Sequence, residues 1–152
     1  MGLRARVVRV RPKFPKRGVH DNDPTPRELY DIIVNKLGFF DVCLGPEKFD
    51  ATKAIWPNRS YCNPPFSSKR PFIEQGIASN KLGREVLIYV PFDPTTRWFR
   101  ALYEANAMIL IFMRKLKHEK FPHALYYLRD FKSPQTILIG GVQDVPKYLM
   151  GS

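Results

Sequence analysis

Arg59-Ser60-Tyr61-Cys62-Asn63-Pro64-Pro65-Phe66 is a short apolar strand that runs straight into a double proline. Proline has no N–H for a sheet ladder and a locked φ, so the strand must end at Asn63 and the chain must leave the sheet stiffly. Upstream, residues 39–44 read as a second buried strand, stopped by Gly45-Pro46. Before it, Leu29, Ile32, Ile33 and Leu37 repeat at helical spacing behind Thr25-Pro26, and Gly38 closes that helix. Downstream, residues 71–82 predict a helix with Phe72, Ile73, Ile77 and Leu82 inward, and residues 85–90 a buried strand. Thr95 or Thr96 caps a further helix through Tyr103, and residues 107–112 form a strand. Residues 123–128 and 135–139 read as two strands of an antiparallel hairpin joined by residues 129–134, followed by a tail or short helix.

Strands alternating with helices and closing in a hairpin predict an α/β fold. The expected architecture is an abbreviated Rossmann-like sheet, mostly parallel, with a C-terminal antiparallel hairpin. In such sheets ligands sit beyond the carboxyl ends of the strands, and both Gly45-Pro46 and Asn63-Pro64-Pro65-Phe66 fall there. At 152 residues the chain suits one domain. The expected division is a basic arm at 1–20, a single domain at 21–145 and a tail at 146–152.

The net charge of +11 is unevenly spread. Arg4, Arg6, Arg9, Arg11, Lys13, Lys16 and Arg17 lie in an arm without a single acid, leaving 18 basic against 14 acidic side chains elsewhere. A polyanion partner explains such an arm, since neutralised phosphates release counterions; a solubilising role is the alternative. An anionic lipid surface suits it less, because the arm lacks an apolar face. No apolar run reaches the ~18 residues of a membrane span, and the basic N-terminal stretch lacks the apolar core expected of a secretory signal. Cys43 and Cys62 sit in apolar runs and are expected as buried reduced thiols in a reducing compartment. His20, His118 and His123 lack Cys or carboxylate partners at metal spacing, so no metal is expected. No phosphate-binding loop, serine elbow or carboxylate pair appears.

Asn63-Pro64-Pro65-Phe66 carries its own chemistry. The Asn63 side-chain oxygen and a rigid backbone carbonyl, most simply that of Pro64, can accept both hydrogens of a planar exocyclic amine. Such a nitrogen is a poor nucleophile because its lone pair is delocalised, and it gains from acceptors that favour its pyramidal form. Phe66 offers a stacking face worth about 1–3 kcal/mol per base. A proline turn with Asn as turn former is the bland alternative.

The stretch from Tyr61 to Ser67 resembles the Asn/Asp-Pro-Pro-aromatic motif of amino methyltransferases. The order of features from Thr25 to Leu128 is similar to the small phage-type DNA N-6-adenine methyltransferases. Thr25-Pro26-Arg27-Glu28-Leu29 opens the first helix, and Phe40-Asp41-Val42-Cys43 is the short acidic strand. Asp50 and Trp56 precede the active-site strand, and Pro91 with Thr96-Arg97-Trp98-Phe99 follows the next one. Arg114-Lys115-Leu116-Lys117 and Phe121-Pro122-His123-Ala124 complete the series. Two departures stand out: Phe66 replaces the usual tyrosine, and no Gly-x-Gly loop follows the Asp41 strand.

The resemblance implies an S-adenosylmethionine methyltransferase sheet acting on the adenine amine of double-stranded DNA, with the base turned out of the stack. It implies Asn63, Pro64, Pro65 and Phe66 as catalytic residues, and Thr25, Pro26, Asp41, Gly45 and Asp50 as S-adenosylmethionine contacts. Asp41 and Asp50 equally suit surface or capping acids. Lys69, Arg70, Arg114, Lys115 and Lys117 are the expected DNA contacts, against the alternative of solvated surface charge. The helical spacing of Trp98 and Phe99 with Leu102 favours core packing over ligand contact. A cytoplasmic location follows, in a host cell if the source is viral, and a homodimer is left open. Methylation of a cytosine amine or a protein glutamine, or an inactive DNA-binding scaffold, are the competing readings.

Overall fold

The computed structural model describes residues 24–45, 47–114, 116 and 121–150. The basic arm, Lys115 and Lys117 lie outside the described residues. Six strands form one mixed sheet: β1 (Phe40–Asp41), β2 (Ser60–Cys62), β3 (Val86–Pro91), β4 (Met108–Phe112), β5 (His123–Leu128) and β6 (Gln135–Ile139). Their spatial order is β1-β2-β3-β5-β4-β6. All adjacent pairs without β5 are parallel, and β5 runs antiparallel to both of its neighbours.

The alternation of side chains across the pleat explains the two cores. Tyr61, Leu87, Tyr89, Leu110, Phe112, Leu125 and Tyr127 face one way, under α1 (Arg27–Tyr30) and the π-helical segment Asp31–Lys36 that continues it. Cys62, Val86, Ile88, Val90, Ile109, Ala124, Tyr126 and Leu128 face the other way. Ile73 of α2 (Lys69–Lys81) and Leu102 of α3 (Arg97–Glu104) complete that second core. Thr96 caps α3 by accepting from Phe99 N at 3.2 Å. The short α4 (Pro146–Leu149) returns Leu149, fully buried, to the first core.

Two expectations are corrected. The antiparallel hairpin of residues 123–128 with 135–139 does not form, because β4 stands between β5 and β6. Every residue of β5 after His123 is buried, which suits the sheet centre, whereas β6 is exposed along most of its length and suits an edge. Crossing one intervening strand spans about 10 Å, well within reach of the six connecting residues. The antiparallel partner next to β5 in sequence is instead β4, with Ile111 opposite Ala124.

The cysteines are not reduced thiols but a disulfide, Cys43–Cys62, with Cα atoms 5.4 Å apart. Parallel pairing of Asp41 with Tyr61 carries the two chains side by side at this point, which a spacing of 19 residues along the chain does not reveal. The argument for a reducing compartment from free thiols falls with that correction. Among the described residues no helix is long and apolar enough to cross a membrane.

Residues 47–59 belong to the connection from β1 to β2 and contain no strand. Their anchor is Trp56, fully buried, whose Nε1 donates to Ala51 O at 2.7 Å and whose backbone N donates to Ser79 Oγ at 2.9 Å. At the amino end of β2, Arg59 donates to Glu85 Oε2 and to Leu37 O, both at 3.0 Å, and lies 4.1 Å over the Phe39 ring. These contacts fix the far end of the strand that carries Asn63.

Candidate active site at the carboxyl edge of the sheet

Because β1 to β4 and β6 run the same way, their carboxyl ends share one edge, and the reversed β5 brings its first residue, His123, to that same edge. The double proline emerges there. Pro64 is buried, and Pro65 holds an extended backbone at φ −56° and ψ 139°. The Pro65 carbonyl accepts from Ser68 N at 3.1 Å in the turn Phe66–Ser68, so of the two proline carbonyls only Pro64's is left out of that turn. Lys69 Nζ donates to Phe66 O at 2.7 Å and lies 4.0 Å over the Phe66 ring. The Phe66 side chain is 37% exposed and near-parallel to Phe121, at 6.2 Å between centroids. The double proline thus fixes the backbone of a partly exposed ring that has Lys69 over it and Phe121 alongside.

Behind the motif lies a chain of polar groups. Asn63 Nδ2 donates to Thr25 Oγ1 at 3.2 Å, and Thr25 Oγ1 shares a short hydrogen bond with Tyr61 OH. Thr25 is buried and Tyr61 fully so. The residue that precedes α1 therefore meets the residue that follows β2, and its side chain is turned to Asn63 instead of outward.

At the end of β1, Asp41 is held on both carboxylate oxygens. Oδ2 accepts from Tyr30 OH at 2.8 Å and Oδ1 from Cys43 N at 2.9 Å. Burial, with the adjacent Asp41 carboxylate as hydrogen-bond acceptor and as charge, pushes the Tyr30 hydroxyl up to about 12. Gly45 follows with φ +140°, a backbone that side chains other than glycine's rarely adopt, so the turn out of β1 depends on it. Asp50 Oδ1 accepts from Thr52 N at 3.1 Å and from Thr52 Oγ1 at 2.7 Å, which lowers its carboxyl from the ordinary value. That geometry makes Asp50 a turn-capping acid. Pro26 opens α1 by accepting from Tyr30 N at 2.9 Å, and it lines a cleft of about 840 Å³ with Arg27, Tyr30, Leu116 and Val142.

The charged residues expected to meet nucleic acid are mixed in placement. Lys69 is turned onto Phe66. Arg70 is exposed but paired with Glu74 at 2.9 Å, and Arg114 is exposed just past β4. Trp98 and Phe99 belong to the second core's margin. No group of three or more His, Cys, Asp or Glu side chains is placed to hold a metal among the described residues.

Tyr30 and Tyr89 are not singled out in the sequence, and Tyr61, Phe121 and His123 figure there as members of longer stretches, with no partner or role of their own. His123 stacks on Tyr89 at 4.8 Å, and its Nδ1 lies 2.8 Å from Phe121 O. Tyr30 and Tyr61 sit in a helical stripe and a strand pattern, where an aromatic reads as core. The pairing of β1 with β2, and the packing of the chain around α1 against them, bring these hydroxyls to Asp41 and Thr25.

Comparison with known families matches residues 14–139 to DNA N-6-adenine-methyltransferase (Dam), a span holding every described element except the two terminal turns. Neither a curated protein nor a solved structure matches the chain. The matched span contains Thr25, Asp41, Asn63 and Phe66 in the order in which the sheet edge assembles them. The chain belongs to the DNA N-6-adenine-methyltransferase (Dam) family.

Proposed function

We propose that the chain transfers a methyl group from S-adenosylmethionine to the exocyclic amine of adenine in double-stranded DNA. The observation that carries this reading is the arrangement of Asn63, the Pro64 carbonyl and the Phe66 ring on one rigid turn at the carboxyl edge. Asn63 Oδ1 and Pro64 O accept the two amine hydrogens, and Phe66 bears on the ring, so the base is held by its plane and its amine together. Both acceptors stay neutral. They draw the nitrogen toward its pyramidal form, and the surplus proton leaves to water after transfer. A duplex adenine reaches this edge only after leaving the stack.

The residues at the end of β1 fit a donor that is a sulfonium bearing an ammonium group and ribose hydroxyls. Asp41 is an anchored carboxylate for either, and Gly45 leaves the backbone without a side chain; Thr25 and Pro26, just ahead of α1, are the remaining expected contacts. When bound, the cofactor supplies an electrophilic methyl with a neutral thioether leaving group. Asp50 holds a turn near that loop and shapes it. The arm at residues 1–20, with Arg70 and Arg114, supplies positive charge for the phosphate backbone.

Incubation with methyl-labelled donor and mixed-sequence DNA, followed by digestion to nucleosides, tests the reading. N6-methyladenine is expected, and Asn63→Ala should reduce its rate by about 100-fold or more, the scale of losing one pre-organised polar contact. Label on cytosine would move the amine to another base. No label on any DNA, with no heat on titrating the donor, would leave a binding protein on an inherited scaffold.

A further inference from the structure

We propose that Thr25 is a positioning residue, whose hydroxyl determines which end of the Asn63 amide faces the target amine. The proposal rests on the methyl-transfer reading above and extends it to a residue behind the contact surface. A side-chain amide has two ends of nearly equal size and opposite character, an acceptor oxygen and a donor NH2. Only the oxygen can accept from an amine N–H. A flipped Asn63 would set donor against donor and remove one of the two acceptors that the transfer uses.

The structure holds the amide in the productive sense. Asn63 Nδ2 donates to Thr25 Oγ1 at 3.2 Å, so Oδ1 occupies the opposite end of the group. The Thr25 hydroxyl is itself fixed by its bond to Tyr61 OH. A hydroxyl can accept twice and donate once, so Thr25 serves both neighbours at the same time. Its placement is also stiff. Thr25 precedes Pro26, whose ring locks φ at the start of α1, and Leu29 and Ile33 pin that helix fully buried on the sheet. Tyr61 is set by its pairing with Asp41 on one side and Leu87 on the other. A buried hydrogen-bond chain of this kind gives a single orientation at low entropic cost during the reaction. The Thr25 side chain accordingly acts on Asn63, and any donor contact by this residue is made by its backbone.

Four proteins and two kinds of measurement test this: the unaltered chain, Thr25→Val, Thr25→Ser and Tyr61→Phe, each assayed for methyl transfer and for the NMR signals of the Asn63 side-chain amide. Thr25→Val is expected to lower kcat about 10- to 100-fold while donor Kd stays within about twofold, and Thr25→Ser to recover most of the rate. Tyr61→Phe should lower kcat less. In parallel, the Asn63 amide protons should exchange slowly in the unaltered chain and faster in Thr25→Val and Tyr61→Phe, a readout that needs no activity. Unchanged kcat in folded Thr25→Val overturns the proposal, as does a loss of donor affinity matching the loss of rate. Should Thr25→Val unfold, Tyr61→Phe decides: slower transfer with faster amide exchange supports the relay, and no change in either overturns it. If the unaltered chain transfers no methyl group, the functional reading fails, and protected Asn63 protons then show that the hydrogen-bond chain exists without that role.

Discussion

Tyr30 illustrates how much of the site depends on single polar atoms. Its hydroxyl gives Asp41 a neutral donor, and burial together with the adjacent carboxylate keeps that proton in place, pushed up to about 12 from an ordinary 10.0. For a group whose folded value is raised, stability from the contact is complete below the unfolded value and is lost as pH climbs through the folded one. The stability difference between the unaltered chain and Tyr30→Phe should therefore hold constant up to about pH 10 and shrink between about 10 and 12, read by denaturant unfolding at stepped pH. A difference that fades below pH 9 would contradict the assignment. At this scale the sequence was informative where chemistry was contiguous. Asn63, Pro64, Pro65 and Phe66 stand next to one another, so their joint role follows from covalent geometry alone. Tyr30 and Tyr61 act through partners 11 and 36 residues away, and residue type gives no hint of such a partner.

Among the elements, α2 shows what a short chain substitutes for missing layers. Gly76 lets the helix lie directly on the buried Trp56 ring. A methyl group there would sit 3.0 Å from two ring carbons and 3.1 Å from Ile88 Cδ1. The ring cannot retreat, since its N–H is bonded to Ala51 O. Alanine would add about 1 kcal/mol of helix propensity, while overpacking costs about 1–3 kcal/mol, so Gly76→Ala is expected to lower the thermal midpoint. A raised midpoint would mean that the indole has room to move. Most helices and strands were legible here, because apolar periodicity decides them and the core agrees. The partner of β5 was not legible. Two strands separated by a turn look like a hairpin in sequence, and only the burial of β5 on both sides, against the exposed β6, shows that β4 lies between them.

For the whole molecule, the disulfide joins the two loops from which the site is built. Cys43 follows Asp41 by two residues and Cys62 immediately precedes Asn63. Closing a loop of this length constrains the unfolded chain by about 3 kcal/mol. Excess dithiothreitol should lower the thermal midpoint of the unaltered chain to that of a Cys43→Ser, Cys62→Ser double variant, which should not respond to the reagent. Two titratable thiols in the unreduced, denatured chain would show instead that the bridge does not form. Paired cysteines were the least legible feature at this scale, since the pairing depends on the register of β1 against β2.

The reversal of β5 has a consequence for how such a protein can be diversified. β4 leaves the sheet and β5 re-enters it at the same edge, with Phe92 N bonded to Pro122 O at 2.9 Å where the chain returns. The two ends of the connection between them are thus fastened beside the site, with Met113 N bonded to Ile139 O at 3.0 Å on one side and the Phe121 ring beside Phe66 on the other. Connections anchored in this way tolerate changes of length and composition better than the strands they join, so variation among such proteins is expected to gather at this edge and not in the core.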